Sequence, residues 1–291
     1  MPHRLFLAIV VSTVSIAGCS VLQPQANDAA SIGAQAGGGT DSAIGRRIAA
    51  LRPADALLLG EQHDAPEHHA IERQVVETLA ARQKLAAVAI EMAEEGRSTT
   101  QLPATAADTE VRDALHWNER SWPWADYGPA VMAAVRAGVP VVGANLPQAR
   151  MRNAMADVSL DAQLNDGARK AQEQAVRSGH CNLLPETQIV PMTRIQIARD
   201  RAMAQAIVKA REPGKTVLLI AGAGHTTKAL GVPQHLPVDL KVTSVRLLAA
   251  APGTPSGTAT GAGDYDSTWQ TPPLPEKDYC AGVTARTPGR P

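Results

Sequence analysis

Aromatic side chains are scarce: they make up 3% of the 291 residues, and the single phenylalanine, Phe6, lies in the first ten. A core must therefore come from Ala, Val, Leu, Ile and Met, and any cluster of rings becomes informative. An excess of one charge is also lacking, since 28 basic and 28 acidic residues cancel. A balanced chain gives no electrostatic ground for a nucleic-acid partner, because that binding rests on phosphate neutralisation. Cysteine is limited to Cys19, Cys181 and Cys280, with no CxxC pair and no Cys/His cluster of the kind that holds structural zinc. Neither G-x-S-x-G nor H-E-x-x-H occurs, so serine-hydrolase and helix-borne zinc-protease readings lack their motifs. Gly222-Ala223-Gly224 starts like a phosphate-cradling turn, but without a full G-x-G-x-x-G it gives no case for a dinucleotide.

What the chain does carry begins with an address. His3-Arg4, the apolar run from Leu5 to Val14 and the small residues before Cys19 describe a secretory signal over 1–18, because the run is too short to span a bilayer. Ile16-Ala17-Gly18-Cys19 resembles a bacterial lipobox, which implies cleavage before Cys19 and its acylation; plain export with a nearby cysteine is the alternative. Ser20 resembles the residue that accompanies outer-membrane sorting, so a lipid-anchored, periplasm-facing protein of the outer membrane is expected. Each buried methylene contributes roughly 0.8 kcal/mol, so several acyl chains on one residue hold a domain durably. In an oxidising compartment Cys181 and Cys280 read most simply as a disulfide, two buried thiols being the alternative. After Cys19 the segment to residue 45, rich in Ala, Gly, Ser and Gln, reads as a tether reaching roughly 25 to 30 Å. The Pro-, Gly- and Thr-rich stretch 250–291 reads as mostly irregular, stapled back if Cys280 pairs with Cys181.

Residues 46–249 are expected to form the domain. Ala56–Leu59, Leu85–Ile90, Val139–Ala144, Thr216–Ala221 and Val242–Leu248 are short, apolar and bounded mostly by polar or turn residues, as buried strands are. Helical patterns separate them. Asp64-Ala65-Pro66-Glu67 reads as an N-cap, a first-turn proline and a capping-box glutamate ahead of Ile71, Val75 and Leu79. A second pattern runs over 188–210 through Met192, Ile195, Met203 and Ile207. Alternation of this kind predicts an α/β fold: a mostly parallel sheet with helices on both faces, plus a helical, Trp-rich lid inserted after the second strand.

The polar groups collect behind the strands. Glu61, His63 and Asp64 follow the first, Glu91 ends the second, Asn145 the third, and His225 follows the fourth. Carboxyl ends of parallel strands share one edge, where ligand crevices form, so these groups should converge. Solvated loop ends and helix caps are the plainer explanation. Asp64 reads better as a cap than as a ligand, and His68, one step from Ile71 on the helix, better as a satisfied core group. The segment His116 to Pro129 holds three of the four tryptophans and Tyr127. Its rings either pack a lid onto the sheet or wall a planar macrocycle, since tyrosinate is a recognised ligand of haem iron. Gly128-Pro129 is expected to break helical regularity beside Tyr127.

The ordered set LLLGEQHDAPEHH, VAIEM, SWPWADYGPAV, PVVGANLP, GHCNLLPE, IQIARDRAMA, AGAGHTTKALGVP and DYC, over most of residues 55–281, resembles the ChaN-type haem-binding lipoproteins. The resemblance implies a membrane-anchored α/β protein that binds haem in iron acquisition. It also implies two protomers around two stacked haems, a tyrosine on each iron, a partner-protomer histidine near a propionate, and contact with an outer-membrane haem or iron transport system. Tyr127 is the tyrosine it points to, with Trp124, Glu61, His63, Asn145 and His225 around the cofactor; Tyr265 and Tyr279 lie in the tail. GHCNLLPE and DYC support the Cys181–Cys280 pairing. The wider superfamily resembles erythromycin-esterase-like and TIKI-type hydrolases, which implies a rival: Glu61, His63, Glu91 and His225 activating water as acid and base or around a divalent metal. A third reading is an envelope interaction module with a vestigial site.

Overall fold

The computed structural model describes residues 42–251 and 263–281. Cys19, its lipobox and the tether up to residue 41 lie outside the described residues. Six strands make one parallel sheet: β1 (Ala56–Glu61), β2 (Leu85–Glu94), β3 (Val141–Asn145), β4 (Thr216–Gly222), β5 (Val242–Ala249) and β6 (Ser267–Thr271), in the order β3-β2-β4-β1-β5-β6. The first five are the apolar runs of the sequence; β3 starts at Val141 because Pro140, which has no N–H to give a ladder, stands before it. The sixth is a short strand within the stretch expected to be mostly irregular. Ser267–Thr271 pairs with β5 at the sheet edge and turns only Trp269 and Thr271 inward, too few buried positions for the sequence pattern to register.

Eight helices accompany the sheet among the described residues: α1 (Ala43–Ala50), α2 (Pro66–Ala81), α3 (Asp108–Leu115), α4 (Trp124–Arg136), α5 (Gln148–Ala156), α6 (Asp166–Gly179), α7 (Glu186–Lys209) and the single turn α8 (Ala223–Thr226). Leu57, Leu59, Ile90, Leu218, Ile220 and Leu247 meet the helices α1, α2, α3 and α4 on one face. On the other, Leu58, Leu219 and a row of alanines (Ala87, Ala89, Ala221) meet Met203, Ala206 and Ile207 of α7. Alternate residues of each strand thus feed opposite cores, which is why the runs read as continuously apolar.

Three local expectations change. The domain starts before residue 46: Ser42 caps α1 by accepting from the Gly45 N–H at 2.9 Å, and Ile44 is buried. Asp64 is not the cap of α2; Ala65 holds that position without a side-chain bond, and Pro66 opens the helix. Gly128 and Pro129 do not interrupt α4 but lie inside it. A Cβ at Gly128 would sit 2.6 Å from the Trp124 ring, so only glycine lets that indole fold along the helix.

Between β4 and β1 the strand order reverses its direction of winding, because the chain steps from β1 outward to β2 and β3 and later returns through β4 to β5. Such a switch point opens a crevice at the carboxyl ends of the strands. Gly60, near the end of β1, has no room for a side chain, since a Cβ would come 2.2 Å from Thr226 Oγ1. That absence lets α8 pack directly on β1.

Candidate functional site

Four strand ends bring their polar groups together at this crevice. Glu61 closes β1, and its Oε1 lies 2.7 Å from His63 Nδ1. A ring nitrogen facing a carboxylate carries its proton, so Nε2 is the face His63 turns outward. That atom is 3.8 Å from Oε2 of Glu91 on β2. Glu91 accepts the Gly222 N–H at 2.8 Å on one oxygen and Arg199 Nη2 at 2.7 Å on the other. His225, in α8, approaches Glu91 with Nε2 at 3.6 Å and has Nδ1 2.6 Å from Asp200 of α7. Asn145, ending β3, donates to the Glu91 carbonyl and accepts from Arg199 Nε, both at 2.9 Å. Two imidazoles, each oriented by a carboxylate behind it, therefore face one carboxylate between them.

Burial sets the charges. Burial alone would raise the Glu61 pKa, yet the His63 hydrogen bond, the nearby His69 ring and the His63 charge bring it down to about 2. Burial likewise opposes a charged His63, but the Glu61 bond and the charges of Glu91 and Glu61 raise its pKa above 6.5. Glu91 resists desolvation because His225, Arg199 and His63 surround it, and its pKa falls. His225 is raised, against its own burial, by Glu91 and Asp200. The edge thus holds ionised carboxylates against imidazoles inclined to keep a proton.

Beneath this edge lies a second set of groups. Glu72 of α2 is fully buried, its pKa driven well up by desolvation and then by the Glu61 charge, so of the two carboxyls Glu72 holds its proton more tightly and Glu61 favours the charge. His69 Nε2 comes to 3.2 Å from Glu61 Oε2, an ion-pair distance without hydrogen-bond alignment. His68 is a satisfied core group: Nδ1 accepts the Gln62 N–H at 2.9 Å, Nε2 is 3.1 Å from Thr271 Oγ1, and burial lowers its pKa to about 4.

The aromatic segment is placed differently from the expectation. Tyr127 is 3% exposed, and its hydroxyl donates to Glu61 Oε1 at 3.1 Å. Burial, then the charges of Glu61 and Glu72, push its pKa far above the phenol range, the opposite of what a tyrosinate needs. Trp124 is turned away toward Asp108, to which its Nε1 donates at 3.0 Å. Trp122 instead meets His63 edge-on, with ring centroids 4.9 Å apart, and packs 5.8 Å from the Tyr127 ring.

Tyr279 also reaches this edge. Cys181 and Cys280 form a disulfide, and the residues before Cys280 lie over the end of β1. Tyr279 Oη accepts from Gln62 Nε2 at 2.9 Å and donates to Asp64 Oδ2 at 3.0 Å, while Lys277 pairs with the same carboxylate at 3.0 Å. Asp64 is thus the anchor of the tail.

Glu61, His63, Glu91, Asn145 and His225 come together, whereas Tyr127 presents no exposed hydroxyl and Trp124 stands apart. Sequence reasoning missed Arg199, Asp200, Glu72 and Tyr279. The signal for two of them is legible: Asp200 falls in the buried stripe of Ile189, Thr193, Ile197 and Met203, and Glu72 in that of His68, Val75 and Leu79. A carboxylate on a helix's buried stripe needs a partner. Among the described residues no group of three or more His, Cys, Asp or Glu side chains is arranged to hold a metal ion.

Comparison with known proteins adds a family. Residues 47–236 match the family described as haem-binding uptake, Tiki superfamily, ChaN. Among solved structures the chain is similar to ChaN of Campylobacter jejuni, described with cofacial haem binding, at 25% identity and a TM-score of 0.57 over 68% of this chain and 83% of that one. The type III effector HopBA1 aligns at 16% identity and a TM-score of 0.47, over 76% of this chain and 88% of its own. No curated protein matches.

Proposed function

Since the chain belongs to the haem-binding uptake family of the Tiki superfamily, ChaN, we propose that it binds haem at the carboxyl edge of its sheet. Bound there, haem supplies a ferric centre that takes a phenolate or imidazole ligand. The observation that supports a site at this edge is the Tyr279 hydroxyl. Of the three tyrosines, Tyr127 is sealed against Glu61, and Tyr265 donates to the Ala223 carbonyl at 2.8 Å with its pKa pushed up to about 12 by burial. Tyr279 is 56% exposed, and its hydroxyl is held at this edge by Asp64 and Gln62. It would hold the iron, with His63 and the edge of Trp122 as neighbouring ring surface, and Tyr127 keeps Glu61 in place from below. Two protomers meeting through this edge would bring two such tyrosines together, in keeping with the cofacial arrangement described for the Campylobacter protein.

Titration of the purified protein with hemin tests the assignment. Saturable binding should shift in spectrum on Tyr279→Phe and keep its spectrum on Tyr127→Phe. The reverse pattern restores Tyr127, and no saturable binding removes the haem reading. Lipid anchoring at Cys19 and a periplasm-facing outer-membrane location belong to the same proposal, supported by Ile16-Ala17-Gly18-Cys19 and Ser20. Palmitate labelling that persists in Cys19→Ala would remove the anchor. Use in haem or iron uptake through a membrane transport system completes it.

One observation favours a second reading, hydrolysis. Glu61–His63 and Asp200–His225 are two carboxylate–imidazole pairs aimed at Glu91, an arrangement able to hold a proton on one side of a water molecule and withdraw one from the other. Turnover of an ester or amide, lost in His63→Ala while hemin affinity stays, would establish it; absence of turnover across a broad panel leaves haem binding alone.

A further inference from the structure

At the opposite edge of the sheet, where β1, β4 and β5 begin, a cavity of about 380 Å³ opens beneath α1. Its floor is apolar, made by Leu51, Leu57 and Leu79. Its rim is cationic: Arg52, Arg82, Lys84, Lys215 and Lys241, against one lining carboxylate, Asp55. Asp55 is already engaged, accepting the Lys241 backbone N–H at 3.0 Å and so tying the strand starts together. Lys215 pairs with Glu212 just outside the lining. Arg82 reaches the Gly45 carbonyl with Nη2 at 3.1 Å, but its Nε is buried with no partner. Arg52, Lys84 and Lys241 are exposed. In a chain of zero net formal charge, the cavity thus gathers five cations against one carboxylate over an apolar floor.

We propose that this edge docks on an anionic bilayer, the cavity taking a phospholipid headgroup with its phosphate on the cationic rim and its glycerol-proximal carbon against the floor. The choice of occupant follows from where the chain leads. Residues 19–41 run directly into α1, the helix that roofs the cavity, and on the lipoprotein reading, on which this proposal rests for the presence of the bilayer, they begin at an acyl anchor. On that reading the anchored chain enters the domain through α1, so the side that carries this cavity is the one tied to the membrane. Each cation near an anionic surface adds to the attraction, and exposed ones do so only within a Debye length, so the contact should be salt-sensitive.

The test uses the mature chain from Ser20 onward, so that neither the apolar signal run nor an acyl group contributes, and co-sedimentation with vesicles of phosphatidylcholine alone or mixed with phosphatidylglycerol. Preference for the mixed vesicles is expected, weakened on the order of 100-fold when Arg52→Gln, Lys84→Gln and Lys241→Gln are combined, and suppressed by salt. These three side chains are exposed, and an unchanged hemin titration confirms that the triple variant is folded. Equal partition to both vesicle types overturns the proposal, as does a preference the triple variant retains. Saturable binding of inorganic phosphate without any vesicle preference also overturns it, marking the cavity as a soluble-anion site. Palmitate labelling reads the anchor separately, so its failure and the failure of docking remain distinct.

Discussion

Replacing Glu61 with Gln probes the centre of the site through its linkage to pH. Glu61 has a pKa of about 2 in the fold against 4.5 as a model carboxyl. That depression is a stability term of about 3 kcal/mol at neutral pH, at 1.36 kcal/mol per unit. The sign follows from the depressed value: the contribution is fully present above the unfolded pKa and is lost as pH falls from about 4.5 toward 2. Glu61→Gln keeps the shape and one acceptor for Tyr127, but cannot carry the charge that His63 and His69 face. Removing that charge also relieves Glu72, whose pKa the Glu61 charge raises, so 3 kcal/mol is an upper bound. Urea unfolding at pH 7 should place the variant below the parent by about 1 to 3 kcal/mol, equivalent to roughly 2–12 °C in Tm for a domain of this size. Near pH 3 the gap should shrink by more than half. An offset of equal size at both pH values, or none at pH 7, would show that the Glu61 charge is not what organises the edge.

Asp200→Asn should lower the midpoint of His225 in an NMR titration, because Asp200 helps to raise it; that pair's stabilisation is present below pH 6.5 and lost as pH climbs through the raised value, so the variant's deficit should fade in alkali. An unchanged midpoint would refute the coupling. Gly222→Ala places a Cβ 2.9 Å from His63 Nε2 and should cost about 1–3 kcal/mol while turning the imidazole off Glu91, visible as a lowered His63 pKa; a neutral effect on both would refute the close approach. Cys181→Ser should cost about 2–4 kcal/mol and speed tryptic cleavage after Lys277, whereas an unaltered cleavage rate would mean the tail is held by Asp64 alone.

Five strands were legible because a strand buried on both faces leaves an uninterrupted apolar run, and their polar ends could be gathered at one edge by the parallel topology alone. β6 was not, since an edge strand with Trp269 and Thr271 as its inward residues has almost no pattern to show. Within the site, Glu61, His63, Glu91, Asn145 and His225 follow strands and were readable there. Asp200 and Glu72 sit on helices, where a charge is normally solvated, and only its position on the buried stripe marks it. The orientation of Tyr127 was not readable: an aromatic-rich lid suggests an open ring wall, but with so few rings elsewhere the lid's own side chains are needed for packing, and the phenol turns inward to Glu61. Tyr279 adjoins a cysteine whose pairing was readable, but no local pattern joins it to Asp64.

The two faces of the sheet are unequal in bulk, and this makes the molecule sensitive on one side only. Ala87, Ala89 and Ala221 act as a thin spacer beneath α7, fixing how high that helix rides. Arg199 and Asp200 travel with it, so a single added methyl under the helix would lift both guanidinium and carboxylate away from Glu91 and His225. Enlargement on the leucine-lined face would disturb α2 and α4 but leave that gap untouched. Drift in this lineage should therefore be far more restricted below α7 than above it, although none of those alanines touches the crevice chemistry directly.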